Sequence, residues 1–192
     1  MINKKNIHQF VHVPSYILQK FRNHTIPKAH FSDLIRLELL IKYGGTWIDA
    51  TVLMTKYNED FFQKDLFIFQ SIGKKHKEFS NWFITSEKNN PILKVLLNLL
   101  YEYWRLNNKL TNYFIFHYFL DILFVKYNQD FKKIIPYSRD LAHLMQKKLF
   151  KPFNKLIYNK IINKMSIHKL TYKFKINITK GLFYHHILHS YS

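Results

Sequence analysis

The chain of 192 residues contains no cysteine, so disulfides and thiolate metal sites are excluded. That absence fits a reducing compartment. Glycine is scarce, with four residues, and two of those stand together at Gly44-Gly45. Acids are scarce too: 12 Asp+Glu face 30 Lys+Arg, for a formal net charge of +18. No hydrophobic run reaches the length of a membrane span. The most apolar one, "YFIFHYFLDILFV" (113–125), is short and carries His117 and Asp121. A central Asp costs roughly 2.5–3.5 kcal/mol on insertion scales, so the run is read as a buried core helix. The N-terminal "MINKKNIHQFVHVPSYI" lacks the apolar stretch of a signal peptide. The sequons Asn23-His24-Thr25 and Asn177-Ile178-Thr179 are therefore read as chance.

What is present is apolar and basic. Hydrophobic content is 47% and aromatic content 18%, which suits a packed domain and not a disordered chain. The positive excess would attract phosphates, nucleic acid or anionic lipid. Part of the lysine count is read as compositional drift, since Asn, Ile, Tyr and Phe are abundant as well. Nucleic acid is not expected as a partner, because no recognised nucleic-acid motif appears.

Strand and helix signals alternate, which predicts an α/β class. Pro14 precedes a short helical turn, and "NHTIPKAH" (23–30) reads as a loop. A helix is expected from Ser32, as N-cap, to about Tyr43, stopped by Gly44-Gly45. "TWIDATVLM" (46–54), "KDLFIFQSI" (64–72) and "SNWFITS" (80–86) read as strands. Asn90-Pro91 opens a strong helix, and a second is expected from Thr111 to about Asn128. "IIPYS" (134–138) reads as a short strand or loop. A helix is expected from Ser138 through "RDLAHLMQKKLF", then a basic helical stretch to Lys164, then "SIHKLTYKF" (166–174). Residues 1–176 form the expected single domain, and 177–192 a loosely attached tail.

The polar residues of "SDLIRLELLIKYGGTWIDATVL" (32–53) stand out against this background. Asp33 and Arg36 are three apart and share a helix face, with Glu38 and Lys42 on an opposite, solvent-facing side. In one continuous interior strand, Asp49 and Thr51 would share a face with Trp47 and Leu53. An acid there is expensive unless it is paired or binds a cation. The plainest use is an ion pair between Arg36 and an Asp, which contributes little net stability.

The order Ser-Asp-x-x-Arg, apolar run, Tyr-Gly-Gly-x-Trp-Ile-Asp-Ala-Thr resembles the signature of the capsular polysaccharide synthesis group of DxD-type glycosyltransferases, similar to glycosyltransferase family 32. "SNWFITSEKNNPIL", "YFIFHYF", "AHLMQKKL" and "SIHKLTYK" extend the resemblance over most of residues 10–175. It implies a GT-A-type fold and a nucleotide-diphosphate sugar as donor. The acceptor it implies is a cell-surface glycan, free or lipid-linked, as in capsule or lipopolysaccharide. On this resemblance Asp33 and Arg36 match positions that contact the donor sugar, and Asp49 matches the first acid of the DxD. The second acid, usually the direct metal ligand, is Thr51 here. His168, Lys169 and Lys173 are assigned to the diphosphate, with Asp49 and His168 as candidate ligands of Mn²⁺ or Mg²⁺. Because a hydroxyl is a weaker partner for such ions than a carboxylate, lysines neutralising the diphosphate are the other option. Wider relatives suggest retention of anomeric configuration. No residue is singled out as catalytic base.

Other residues carry weaker signals. Asn81 and Trp82 suit a sugar pocket, although Trp82 also suits the core. His117 and Asp121 share a helix face as a candidate metal pair. The apolar stripe Leu149, Phe153, Leu156, Ile157 and Ile161 among lysines suits peripheral contact with an anionic membrane, which agrees with a cytoplasmic protein at the inner face of the plasma membrane. The group normally carries a strand–helix–strand unit before this region, so the chain reads as N-terminally shortened. Two rival functions remain: a catalytically dead remnant that binds glycan or a partner chain, and a basic nucleic-acid-binding module.

Overall fold

A computed structural model describes residues 6–71, 79–132, 134, 137–173 and 180–191. Helix α1 (Ser15–Arg22) follows Pro14, and α2 (Lys28–Tyr43) follows Pro27. Helix α2 thus begins one turn earlier than the Ser32 N-cap predicts. Pro27 supplies the entry with its fixed φ. The Ser32 hydroxyl is left to accept from Arg36 Nη2 at 3.4 Å. At the other end Gly44 closes the helix, its N–H donating to Leu40 O at 2.8 Å and its φ at +70°. A Cβ there would stand 2.9 Å from the Lys88 backbone nitrogen, so only glycine fits.

The expected strand over 46–54 is two strands. β1 (Gly45–Ile48) and β2 (Val52–Met54) are separated by a turn in which Val52 N–H donates to Asp49 O at 3.0 Å. β3 (Leu66–Gln70) and β4 (Phe79–Ser86) follow, and β5 (Ile167–Lys169) comes late in the chain. The sheet order is β1-β4-β3, antiparallel, and β2 pairs antiparallel with β5 in a second small sheet. The chain leaves one sheet for the other at Asp49–Thr51. The stretch is therefore not an interior strand: β1 lies at a sheet edge, with Ile48 exposed, and Met54 of β2 is exposed too.

The main core packs these strands against α2, α3 (Pro91–Leu106) and α4 (Ile115–Lys126). Asn90 caps α3 by accepting from Ile92 N and Leu93 N, as the Asn-Pro pair predicts. Helix α4 starts later than Thr111, because the Asn112 side chain accepts from Phe114 N at 2.8 Å and holds a turn. It is buried on one face only. Phe114, Tyr118, Ile122 and Val125 are exposed. Glu38 is no solvent edge either, since it accepts from Tyr101 Oη at 2.7 Å. Short α5 (Asn128–Lys132) and α6 (Arg139–Ala142) follow, α6 capped by Ser138 but ending long before Phe150. Of the segment 134–138, residues 135 and 136 lie outside the described residues. Ser138 makes an isolated parallel bridge to Gln70.

A second core gathers Met145 and Leu149 of the segment after α6, Tyr158 and Ile161 of α7 (Lys155–Lys164), and Phe183 and Ile187 of α8 (Phe183–Tyr191). Residues 174–179, the second sequon among them, lie outside the described residues. From Gly181 onward the expected loose tail is packed: Phe153 N–H donates to Gly181 O, and Tyr184 N–H to Leu149 O. The proposed lysine-flanked stripe is split by this core. Leu149 and Ile161 are buried, while Leu156 is 80% exposed and Ile157 is exposed as well. Among the described residues no helix is long and apolar enough to cross a membrane.

Candidate functional site

Three elements converge on one polar cluster. Helix α2 presents Asp33 and Arg36 on its inner face, 4% and 5% exposed. Arg36 Nη1 lies 3.1 Å from Asp33 Oδ1 and also donates to the backbone oxygen of Asn81 on β4. The Asn81 amide returns a hydrogen bond to Asp33 Oδ1 at 3.0 Å. Arg36 is thus held on two sides, with its guanidinium carbon 5.0 Å from the Trp47 ring centroid. Its Nη2 is 3.6 Å from Asp49 Oδ1, and its buried Nε has no hydrogen-bond partner among the described residues.

Asp49 stands at the β1–β2 turn, where its backbone N–H donates to Trp82 O at 2.9 Å. Trp47 Nε1 donates to its Oδ1 at 2.9 Å. Lys169 of β5 donates to its Oδ2 at 3.0 Å and to the Thr51 hydroxyl. The β2–β5 register makes this contact: Val52 pairs with Lys169, and Leu170 N–H donates to Thr51 O at 2.7 Å. Two carboxylates and two cations therefore alternate across the site.

A cavity of about 380 Å³ opens on this cluster, within the roughly 300–1,000 Å³ usual for small-molecule sites. Asp33, Arg36, Asp49, Asn81, Lys169 and Lys173 line it. Of the residues expected at the site, the structure brings these together, with Thr51 attached through Lys169. It does not bring His168. That side chain is fully buried on the far face of β5, its Nε2 3.4 Å from Thr55 Oγ1. Burial holds its pKa down to about 4, which keeps it neutral.

His30 and Tyr113 also line the cavity, and sequence reasoning missed both. His30 sits in the first turn of α2, three residues before Asp33, with its Nδ1 3.9 Å from Asp33 Oδ2. Its place would have been legible had the helix been started at Lys28. Its ring meets Tyr113 edge-on at 5.4 Å, and burial lowers its pKa. No local signal marks Tyr113. His117, proposed with Asp121 for a metal, faces this cavity, and so does Trp82, which is otherwise buried and stacks on Phe69 at 4.8 Å.

Burial pushes the Asp33 carboxyl up to about 6, against the opposing pull of Arg36 and of the Asn81 hydrogen bond. Desolvation outweighs the ion pair here, as it does for many buried pairs. With its carboxyl at about 6, Asp33 is mostly ionised near neutral pH, and the carboxyl oxygens of both acids suit hydroxyl donors. Lys173, exposed at the rim, suits a phosphate. A divalent cation fits this donor set poorly. Each Asp49 oxygen already meets an N–H or a cation, and the neighbouring ligand position is the neutral Thr51. No group of three His, Asp or Glu with metal-site geometry occurs among the described residues.

The fold and site define an α/β protein with an acid–arginine–acid cluster, buried at Asp33 and Arg36, at a small polar cavity. Residues 1–187 match the sequence model of the family described as capsular polysaccharide synthesis protein, and the chain belongs to that family. The O-glycosyltransferase braB of Annulohypoxylon truncatum is 28% identical over 105 residues, covering 47% of this chain and 25% of the relative. Among solved structures, the PaToxG glycosyltransferase is similar with a TM-score of 0.43 and 20% identity, over 84% of this chain and 60% of that one. The chain thus spans a quarter of the length of the first relative and 60% of the second.

Proposed function

We propose that the protein is a glycosyltransferase that binds a nucleotide-diphosphate sugar and transfers the sugar to a cell-surface glycan. The carrying observation is the Asp33–Arg36–Asp49 cluster at a cavity edged by Lys169 and Lys173. Asp33 and Asp49 accept hydrogen bonds from hydroxyls of the sugar or ribose. Arg36, fixed by Asp33, Asn81 and Trp47, orients both acids and pays little reorganisation on binding. Lys169 and Lys173 face the diphosphate. The signature over 32–51 supports this reading, as do membership of the family and the named activity of the braB relative. A lipid-linked acceptor agrees with α4, whose exposed Phe114, Tyr118, Ile122 and Val125 continue an apolar strip next to the cavity residues Tyr113 and His117.

Equilibrium binding of a panel of nucleotide sugars tests the reading. Wild type is expected to bind one donor, and Asp49→Asn to weaken that binding by about tenfold or more, the usual effect of losing a charged hydrogen-bond partner. A folded wild type that binds no donor, or an Asp49→Asn variant that binds equally well, contradicts it.

A further inference from the structure

The turn between β1 and β2 offers one carboxylate, Asp49, and one hydroxyl, Thr51, side by side. A strand distant in sequence brings an ammonium to both. Lys169 Nζ lies 3.0 Å from Asp49 Oδ2 and donates to Thr51 Oγ1 as well. The contact is built into the backbone and not left to a surface side chain. Val52 pairs with Lys169 in the β2–β5 ladder, and Thr51 O accepts from Leu170 N–H. The Lys169 side chain is also 18% exposed, so it is held by Asp49 yet open to the cavity. On its other oxygen Asp49 meets Trp47 Nε1 and Arg36 Nη2. A divalent ion would have to displace Lys169, and would then find one carboxylate oxygen and a neutral hydroxyl. Such a pair is a weak site for a hard cation.

We propose that Lys169 is the resident cation of this site: anchored by Asp49 and Thr51, it meets the diphosphate of the donor, which binds without a divalent metal ion. The assignment rests on the donor-binding reading above and adds to it which group carries the positive charge. Lys173, four residues on and exposed at the cavity rim, adds a second, less constrained charge. A nucleoside diphosphate is then recognised by fixed ammonium groups, whose charge is present before the ligand arrives.

Calorimetric titration with uridine, guanosine, cytidine and thymidine diphosphates, in EDTA and again with Mn²⁺, tests this. Wild type is expected to bind one of them in EDTA, with an affinity that Mn²⁺ does not raise. Lys169→Met is expected to lose about tenfold or more of that affinity, and Lys169→Arg to retain part of it. Thermal melts establish that each variant is folded, and Lys169→Arg stands in should Lys169→Met not fold. Lys169→Asp places a second carboxylate opposite Asp49 and Thr51. It is expected to gain Mn²⁺ binding, read by electron paramagnetic resonance, and to make diphosphate binding Mn²⁺-dependent. A lysine with no contact to the diphosphate would leave diphosphate binding in this variant independent of Mn²⁺. Binding by wild type only when Mn²⁺ is present overturns the assignment and leaves the donor-binding reading intact. Unchanged affinity in a folded Lys169→Met does the same. No diphosphate bound under either condition overturns both.

Discussion

Asp33 and His168 are both buried and titratable, and burial drives them in opposite directions. Asp33 moves from 3.8 up to about 6, so the folded protein takes its proton more readily than the unfolded chain. Its contribution to stability is greatest below about pH 4 and is lost as pH rises through about 6, a change of roughly 3 kcal/mol. His168 moves from 6.5 down to about 4. Its contribution is present above about pH 6.5 and is lost as pH falls toward about 4, again by roughly 3 kcal/mol. Urea denaturation at about pH 4 and about pH 7.5 separates the two. Asp33→Asn is expected to gain on wild type as pH rises, and His168→Gln to gain on wild type as pH falls. A wild-type-minus-variant difference that is the same at both pH values contradicts the stated shifts. The two residues also mark the reach of sequence reading. Asp33 was legible because an acid and an arginine at helical spacing in an apolar run need a common purpose. His168 was not, because which face of a short strand looks into the cavity depends on its partner strand.

Gly44 carries the junction between α2 and β1, and thereby the distance between Asp33–Arg36 and Asp49. Its φ of +70° and the nearby Lys88 and Ser86 backbone leave no room for a Cβ. Gly45 also has positive φ, at +93°, but open space around its Cβ position. Gly44→Ala is therefore expected to cost about 3 kcal/mol or more, and Gly45→Ala only about 1–2 kcal/mol of backbone strain. Equal losses in chemical denaturation would show that the close approach to Lys88 is not what constrains Gly44. The helix stop was legible from the glycine pair alone. The break at Asp49–Thr51 was not. Nine residues of strand-forming type look continuous, and nothing local says that β1 pairs with β4 while β2 pairs with β5. That unseen switch of sheets is what turns Asp49 and Thr51 out of a strand and toward Lys169.

At the scale of the molecule, two hydrophobic cores meet at the β2–β5 ladder. Leu53 and Leu170 lean on the second core, next to the residues that hold Lys169 at Asp49. Helix α8 is thus part of the support of the site, though its sequence reads as a tail. Ile187→Ala is expected to destabilise the protein by about 2–4 kcal/mol, as cavity-forming changes do, whereas Leu156→Ala, at an exposed position of α7, is expected to stay within about 0.5 kcal/mol. Comparable small effects from both would mean that α8 is not docked. The mixed α/β class was legible from the order of strand and helix signals. The second core was not, because its six buried residues are scattered through basic sequence whose lysines remain on the surface. These lysines contribute to the formal net charge of +18, a field that favours anionic partners.

The central claim is that the Asp33–Arg36–Asp49 cluster acts on a nucleotide-diphosphate sugar. Its most direct test is release of nucleoside diphosphate from a donor panel by wild type and by Asp49→Asn, each shown to be folded. The account predicts release from one donor by wild type, in EDTA as well as with Mn²⁺, and a loss of about a hundredfold or more in the variant, the scale of removing a preorganised polar contact. Equal release by both proteins, or none by a folded wild type from any donor, would contradict it.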